Sequence, residues 1–266
     1  MTDIEPVVLT ERRGHVLVVT INRPKAANSI NASVHTLLGE AWDLADSDDA
    51  IRAVVLTSTG STTFCGGADL KALGTRGPEG VTPAETAHWG FAGITRHPIS
   101  TPVIVAVAGN ALGGGTEIAL SGDIVIAGTT ARFGLPEVHR GLIAGAGGLF
   151  RLVDAIPRAI AMELILTGEP MSADDASRWG LVNRVVAPEE VFATALEVAE
   201  KVCAGAPLAV RASKSIARGI VDGRIPSEVS AWEETDRALE RLSTSADTVE
   251  GIMAFMEKRA PRWSGT

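Results

Sequence analysis

Apolar runs in the first half of the chain predict strands. Residues 7–10 and 15–21 alternate in the manner of two paired strands, and residues 12–14 are the predicted turn between them. Shorter runs that are wholly apolar, typical of buried strands, lie at residues 54–57, 103–107 and 124–126. Each of these is followed by a Gly-rich or polar turn and then by a helical stretch. Strands that alternate with helices predict an α/β core with partly parallel pairing.

Helical periodicity is clearest in the second half of the chain. Residues 32–48 already follow a helical period, and the Thr-Pro-Ala-Glu of residues 82–85 predicts a helix start with Thr82 as the N-cap. After about residue 145 the predicted helices cover 157–167, 172–179, 189–204, 207–221, 227–243 and 246–258. Residues 182–186 still predict a strand. The pattern therefore predicts an α/β core followed by a helical C-terminal third.

Composition and charge exclude several classes of protein. The chain has 266 residues, 45% of them apolar and 21% charged, as in ordinary globular proteins. Its 32 acidic and 24 basic residues give a net charge of −8, which argues against nucleic acid as a partner. No apolar run approaches the roughly 20 residues of a membrane helix. The two cysteines are too few for a disulfide framework, and residues 1–5 do not resemble a secretory signal. We expect a cytoplasmic protein.

Two clusters of glycines follow strands of the predicted core. Residues 64–70 read Phe-Cys-Gly-Gly-Ala-Asp-Leu, and residues 109–117 read Gly-Asn-Ala-Leu-Gly-Gly-Gly-Thr-Glu. Glycines at such places let backbone N–H groups approach a ligand closely, and a helix N-terminus favours negative charge. Either cluster alone could be a tight turn without a ligand. Two of them after neighbouring strands favour a binding site.

Two acidic residues lie in unusually apolar surroundings. Glu117 follows the second glycine cluster inside an apolar helix start, and Glu137 follows the predicted strand at 124–126. Because an unpaired buried carboxylate is costly, each must be paired or used. Either alone could be a helix cap or a structural carboxylate. Together, beside the glycine loops, they suggest an acid/base pair at an anion-stabilising pocket. The five histidines are dispersed, so we expect no metal site.

These segments, in their order and spacing, resemble the enoyl-CoA hydratase/isomerase (crotonase) superfamily. The similarity extends from about residue 8 to about residue 263, and its signals lie at 22–28, 64–71, 111–117, 133–137, 145–148 and 255–259. It implies an α/β fold with a spiral of ββα units, residues 1–200, that holds coenzyme A and the active site. It further implies a helical trimerisation region, residues 201–266, and hence a homotrimer or a hexamer built from two trimers.

The resemblance also implies a reaction and the residues that perform it. The backbone N–H groups of Ala68 and Gly114 would form an oxyanion hole for an acyl-CoA thioester. Glu137 would donate a proton while Glu117 positions a water, so that a trans-2-enoyl-CoA becomes a 3-hydroxyacyl-CoA. No prosthetic group is implied, since coenzyme A enters with the substrate. The residues expected to bind coenzyme A and substrate are Lys25, Ala26, Gly66, Gly67, Ala68, Asp69, Leu70, Lys71, Gly113, Gly114, Phe255 and Lys258.

Two departures from the family pattern keep other reactions open. Leu135 stands where hydratases often have Gln, and Ala144 replaces a common proline. Isomerisation, hydrolysis or C–C cleavage of a specialised acyl-CoA therefore remains an alternative, as does an acyl-CoA-binding protein without catalysis.

Other parts of the predicted binding site also have a simpler interpretation. The predicted phosphate-binding cations, Lys25, Lys71 and Lys258, could each be a solvated surface charge. Residues 72–97, with Trp89 and Phe91, are expected to line the acyl pocket, although they could form a lid without specificity.

Overall fold

The computed structural model describes residues 6–266, so the acidic start of the chain, residues 1–5, lies outside the described residues. Its strands form two sheets. The strands are β1 (Val8–Arg13), β2 (Val16–Ile21), β3 (Ala53–Ser58), β4 (Thr63–Cys65), β5 (Val103–Val107), β6 (Asn110–Leu112), β7 (Ile124–Gly128), β8 (Arg132–Gly134), β9 (Met171–Ser172) and β10 (Arg184–Val186). The six-stranded sheet has the order β1-β2-β3-β5-β7-β10, and the four-stranded sheet has the order β4-β6-β8-β9.

Helices surround the larger sheet and form the C-terminal part of the described chain. The α-helices are α1 (Ala32–Ser47), α2 (Leu70–Arg76), α3 (Gly114–Ser121), α4 (Gly148–Ala155), α5 (Arg158–Thr167), α6 (Ala173–Trp179), α7 (Val191–Cys203), α8 (Pro207–Arg218), α9 (Val229–Ser243) and α10 (Ala246–Glu257). Among residues 6–266 no helix is both long enough and apolar enough to cross a membrane.

The larger sheet is parallel apart from the β1–β2 hairpin, and its strands β2, β3, β5 and β7 are buried on both faces. Side chains alternate between the faces of a strand. Val54 and Leu56 therefore pack in the core that includes α1, while Val55 packs in the core that includes α7. This double burial explains why residues 53–56 of β3 and all of β5 are apolar in sequence.

A three-part unit repeats along the chain and positions the functional loops. Strands β3, β5 and β7 of the larger sheet are each followed by a short strand of the smaller sheet, which is β4, β6 or β8. Each short strand leads into helical structure: α2, α3 and a 3₁₀ turn at Pro136–Arg140. Because β4, β6 and β8 pair side by side in parallel, the segments that follow them emerge at one place.

The predicted α/β core and helical C-terminal third are confirmed, with local differences. The first hairpin turns at residues 14–15 rather than 12–14, because Arg13 pairs with Val16 and Gly14 adopts a φ of +58°. The helix predicted to start at Thr82 is wrong: residues Ala84–Trp89 form a 3₁₀ helix whose preceding residue, Pro83, provides no side-chain cap. Its end is set by Gly90, which has a φ of +72°.

The last helix packs against the turn that follows β8. A Cβ on Gly251 of α10 would lie 2.3 Å from the carbonyl carbon of Arg140, so only glycine allows the two backbones to come this close. The hydroxyl of Thr248 donates to the carbonyl oxygen of Gly141 at 2.6 Å. The position of α10 is therefore fixed by direct contact with the backbone of this turn.

Replacing Gly251 with Ala should loosen this contact. The added methyl meets backbone rather than a flexible side chain, so we expect a loss of about 1–3 kcal/mol despite the better helix propensity of alanine. Thermal unfolding of Gly251→Ala, with Val249→Ala at an exposed position of the same helix as the control, measures the effect. A melting temperature equal to that of the control would contradict the close contact.

Candidate active site

A cavity of about 750 Å³ lies where the three units end. Its wall comes from the segments after β2, β4, β6 and β8, from Phe91, and from Leu239 of α9 and Phe255 of α10. Every residue predicted to be catalytic or to bind coenzyme A lines it except Lys258, whereas of residues 72–97 only Phe91 does so. The C-terminal helices of the same chain thus complete the wall of a site that the α/β core begins.

The two glycine loops come into contact at this cavity. A Cβ on Gly67, whose φ is +93°, would lie 3.3 Å from the backbone nitrogen of Gly114. A Cβ on Gly114 would in turn lie 2.4 Å from the ring of Phe91 and 3.3 Å from the Cα of Gly67. Both positions therefore require glycine, and the approach of the loops depends on it.

The backbone N–H groups of Ala68 and Gly114 are free to bind an oxygen. The residues on either side of Ala68 form hydrogen bonds with Ile30. The N–H of Ile30 donates to the carbonyl oxygen of Gly67 at 2.9 Å, and the N–H of Asp69 donates to the carbonyl oxygen of Ile30 at 2.8 Å. Because backbone groups alternate in direction along extended chain, the Ala68 N–H points away from Ile30. Gly114 begins α3, where N–H groups have no partner within the helix. Among residues 6–266 neither N–H has a protein acceptor.

Glu117 is held by the segment that starts α4. Its side chain is buried, with only 3% exposure, in the first turn of α3. Its Oε1 accepts hydrogen bonds from the N–H of Ala146 at 2.6 Å and from the N–H of Gly148 at 2.9 Å. A Cβ on Gly148 would lie 3.0 Å from the Glu117 side chain, so glycine is needed for this contact. The carboxyl group therefore has one oxygen fixed by the protein.

Glu137 faces the cavity from the 3₁₀ turn after β8. Its Oε1 approaches Gly113 so closely that a Cβ there would lie 2.7 Å away. Its Oε2 is buried and has no hydrogen-bond partner within the described part of the chain. A buried polar atom without a partner is costly, so this oxygen is suited to bind a group that enters the cavity.

The two carboxyl groups titrate near neutral pH. Burial and then the nearby charge of Glu137 raise the pKa of Glu117 to about 8, against the opposing effect of the two N–H donors. Burial likewise raises the pKa of Glu137 to about 7. Because the two groups influence each other, the protons belong to the pair. Such a pair can hold one proton at working pH, so that one carboxyl donates while the other accepts.

An arginine that the sequence analysis missed supports Glu117 from behind. Arg151 of α4 is 8% exposed, donates to the Ser121 hydroxyl at 3.0 Å and forms an ion pair with Glu228 at 2.6 Å. Ser121 donates to the backbone carbonyl of Glu117 at 2.9 Å. Arg151 thereby connects α3, α4 and the segment before α9. An arginine in an otherwise apolar helical stretch indicates a structural role, but its partners could not be identified from the sequence because they are distant along the chain.

The predicted coenzyme A contacts divide into two groups. Lys25 and Lys71 are exposed residues on the cavity wall, as expected of groups that meet phosphates. The carboxylate of Asp69 is already engaged, because it caps α2 and pairs with Arg23 at 2.8 Å. Asp69 therefore shapes the loop, and Arg23 is a residue of the wall that the sequence analysis missed.

Three expectations about individual side chains change. Trp89 does not line the cavity, since its ring packs on Gly39 and stacks on His97 with centroids 5.4 Å apart, whereas Phe91 does line it. Lys258 ends α10 outside the lining, so its contact with coenzyme A stays a prediction. Leu135 is 1% exposed in the core and away from the cavity. Its difference from the family pattern therefore does not alter the wall.

No cluster of three histidine, cysteine or acidic side chains within the described residues could hold a metal ion.

Similarity to known proteins agrees with the geometry. The family model described as "Enoyl-CoA hydratase/isomerase" matches residues 11–266. The chain belongs to the enoyl-CoA hydratase/isomerase family. The predicted crotonase fold is thereby confirmed, and the chain is an enzyme of this family.

Individual members of the family match over nearly the whole chain. A carnitinyl-CoA dehydratase of Proteus mirabilis is 39% identical over 256 residues, which are 95% of this chain and 96% of the relative. The crystal structure of a carnitinyl-CoA hydratase from Mycobacterium avium is 51% identical, covers 98% of this chain and 100% of its own, and superposes with a TM-score of 0.96. An enoyl-CoA hydratase from Mycobacterium tuberculosis H37Rv is 44% identical with the same coverage and a TM-score of 0.75.

The raised pKa values predict how stability depends on pH. The pKa of Glu117 is about 8 in the fold against an ordinary 4.5, so the folded protein binds more protons than the unfolded chain between these values. Stability should therefore fall as pH rises through this window. Glu117→Gln keeps an oxygen that accepts both N–H bonds and carries no charge. We expect it to melt higher than the wild type at about pH 8.5, with a smaller difference at about pH 5.5.

Glu163→Gln, at an exposed site on α5, is the matched control and should follow the wild type at both pH values. A melting difference between Glu117→Gln and the wild type that is equal at the two pH values would contradict a raised pKa at Glu117.

Proposed function

We propose that this enzyme adds water to trans-2-enoyl-CoA thioesters to form 3-hydroxyacyl-CoA, and that it catalyses the reverse dehydration. The observation that carries the proposal is the buried pair of Glu117 and Glu137, which titrates near neutral pH at one cavity with two unengaged N–H groups. The names of the relatives, hydratase and dehydratase, are consistent with this reaction class.

The oxyanion hole supplies electrostatic stabilisation. In the proposed mechanism the thioester oxygen accepts hydrogen bonds from the N–H groups of Ala68 and Gly114. As water adds to C3, the π electrons of the C2–C3 bond move towards C1, and negative charge develops on that oxygen. Donors that are already in place stabilise this charge most, and one such donor contributes about 10²–10³ in rate.

The glutamates handle the protons. One oxygen of Glu117 is occupied by backbone N–H groups, so its other oxygen is available to orient the attacking water. A carboxylate of the pair takes a proton from this water while the oxygen of the water bonds to C3. Glu137 then delivers a proton to C2, the thioester carbonyl re-forms, and the pair keeps the same number of protons over the cycle.

Binding of coenzyme A must be local, because the protein and its ligand both carry net negative charge. We assign the phosphates to Lys25 and Lys71 at the cavity wall.

No prosthetic group is needed for the mechanism. Cys65 and Cys203 are both free thiols, which suits a cytoplasmic protein.

We also propose that residues 201–266 join the chain into a homotrimer or a dimer of trimers. Helix α8 has no fully buried residue, and it exposes Leu208 at 80% and Ile216 at 82%. Exposed apolar side chains on one helix are typical of an interface. Light scattering should give the mass of three or six chains, and the substitution Ile216→Glu should lower that mass. A wild-type monomer would contradict this assembly.

The reaction is tested with crotonyl-CoA. We expect the enoyl absorbance to fall as the double bond is hydrated, and mass spectrometry to show a product heavier by one water. A panel of CoA thioesters read in the same way separates hydration from isomerisation, hydrolysis and C–C cleavage. A folded protein that hydrates none of the short and medium enoyl-CoAs would refute the proposed function.

Glu137→Gln should separate chemistry from binding. The amide fills the same space but cannot deliver the proton, so we expect kcat to fall by about 10²–10⁴. The dissociation constant of a saturated acyl-CoA, measured by calorimetry, should change little. Glu163→Gln is again the control. An unchanged kcat in Glu137→Gln would refute the role of Glu137 as the proton donor.

A further inference from the structure

A charged side chain outside the proposed mechanism also faces the cavity. Arg140 is the last residue of the 3₁₀ turn that carries Glu137, and it is part of the cavity wall. Its side chain lies against α10, and the Cζ of the guanidinium is 4.5 Å from the centroid of the Phe255 ring. The packing of the turn against Gly251 fixes the backbone from which this side chain starts.

Arg140 differs from the other arginines of the site in having no polar partner. Arg23 pairs with Asp69 at 2.8 Å, and Arg151 pairs with Glu228 at 2.6 Å. Across residues 6–266, Arg140 forms neither a hydrogen bond nor an ion pair, and its Nε is buried without an acceptor. A guanidinium has five N–H donors, and leaving a buried one unused is costly. The two Nη groups also have no acceptor in the described protein and are not buried, so an acceptor that enters the cavity can bind the guanidinium.

The surroundings of Arg140 indicate which part of a ligand it meets. Phe255 lies against the guanidinium, and the same cavity wall includes the apolar side chains of Leu142, Ile143 and Leu239. Arg140 follows Glu137 by three residues in the same 3₁₀ turn, so the two side chains leave the turn on the same side, and both line the cavity. The positive charge of Arg140 also opposes the burial that raises the pKa of Glu137. In the proposed reaction Glu137 lies at C2 and C3 of the acyl chain. Arg140 is thus placed to meet a group only a few bonds beyond the reacting carbons.

We propose that Arg140 binds a carboxylate at the end of the acyl chain, and that the preferred substrates are enoyl-CoA esters of short dicarboxylic acids. This inference rests on the proposed function for the direction in which the chain lies. A carboxylate is the best partner for a guanidinium, because two parallel N–H···O bonds can form. The apolar residues around Arg140 would enclose the intervening methylene groups and strengthen the ion pair by excluding water.

The same geometry disfavours an acyl group that ends in a quaternary ammonium. Such a cation would need aromatic faces or carboxylates around it. One face of Phe255 is already covered by the guanidinium of Arg140. A second positive charge beside it would be repelled. The substrates named for the carnitinyl-CoA relatives are therefore not the ones that this wall favours.

Three enoyl-CoAs that differ only at the end of the chain test the inference. They are 4-carboxybut-2-enoyl-CoA, pent-2-enoyl-CoA and 4-(trimethylammonio)but-2-enoyl-CoA, which carry a carboxylate, a methyl and a cation on the same carbon. We expect kcat/KM for the carboxylate to exceed that for the methyl by about 10- to 100-fold, as a charge-assisted bidentate hydrogen bond provides. The cationic substrate should be the poorest of the three.

Variants of Arg140 show whether this side chain is the cause. In Arg140→Gln the ratio of kcat/KM between the carboxylate and methyl substrates should fall towards one, and Arg140→Lys should restore part of it. The ratio is measured within each variant, so it does not depend on how much total activity remains. Arg158→Gln, at an exposed arginine that begins α5, is the control and should keep the wild-type ratio.

Binding measurements keep the two proposals separable. The dissociation constants of 4-carboxybutanoyl-CoA and pentanoyl-CoA, measured by calorimetry, require no turnover. Hydration of all three enoyl-CoAs at similar rates, or fastest turnover of the cationic one, would overturn the role of Arg140 and leave the hydratase proposal intact. If none is hydrated, the hydratase proposal fails. Preferential binding of the carboxylate that is lost in Arg140→Gln would then still support the role of Arg140, and equal binding would overturn it.

Discussion

The burial of two carboxyl groups beside one another is the constraint on which the rest of the structure depends. A pair of acids would ordinarily ionise below pH 5 and would repel each other. Glu117 is retained in the interior because the N–H groups of residues 146 and 148 bind one of its oxygens. Those N–H groups are available because glycines allow the chain to approach, and Arg151 ties the two helices together. Packing, backbone conformation and charge therefore all contribute to holding the two carboxyl groups side by side in the cavity.

The smaller sheet gives this arrangement its accuracy. Phe64 of β4 and Phe133 of β8 are fully buried, although the strands of this sheet are only two or three residues long. Their parallel pairing nevertheless aligns the starts of the three functional segments, because β4, β6 and β8 lie side by side. The first segment supplies the N–H of Ala68, the second supplies Gly114 and Glu117, and the third supplies Glu137. The candidate reacting groups thus come from all three units.

Much of the site was predictable from the sequence because its strongest signals are local. Glu117 and Glu137 stood out as acids in apolar surroundings, and the glycine clusters followed apolar runs that proved to be strands. The short strands were missed because two or three residues show no measurable periodicity. Trp89 was misplaced because an aromatic residue near a loop can serve a cavity or a core equally well. Arg23, Arg140 and Arg151 were missed because an arginine's partner, or its lack of one, exists only in three dimensions.

The division between a rigid sheet and short functional segments has a consequence for how such enzymes diversify. The segment after β8 that spans residues 136–143 lines the cavity and packs on α10 without contributing a strand to the larger sheet. Substitutions there can change the ligand while the register of the parallel strands stays as it is. Natural variation and protein engineering can thus reach new specificities through a handful of neighbouring codons, with the folding of the scaffold left largely undisturbed.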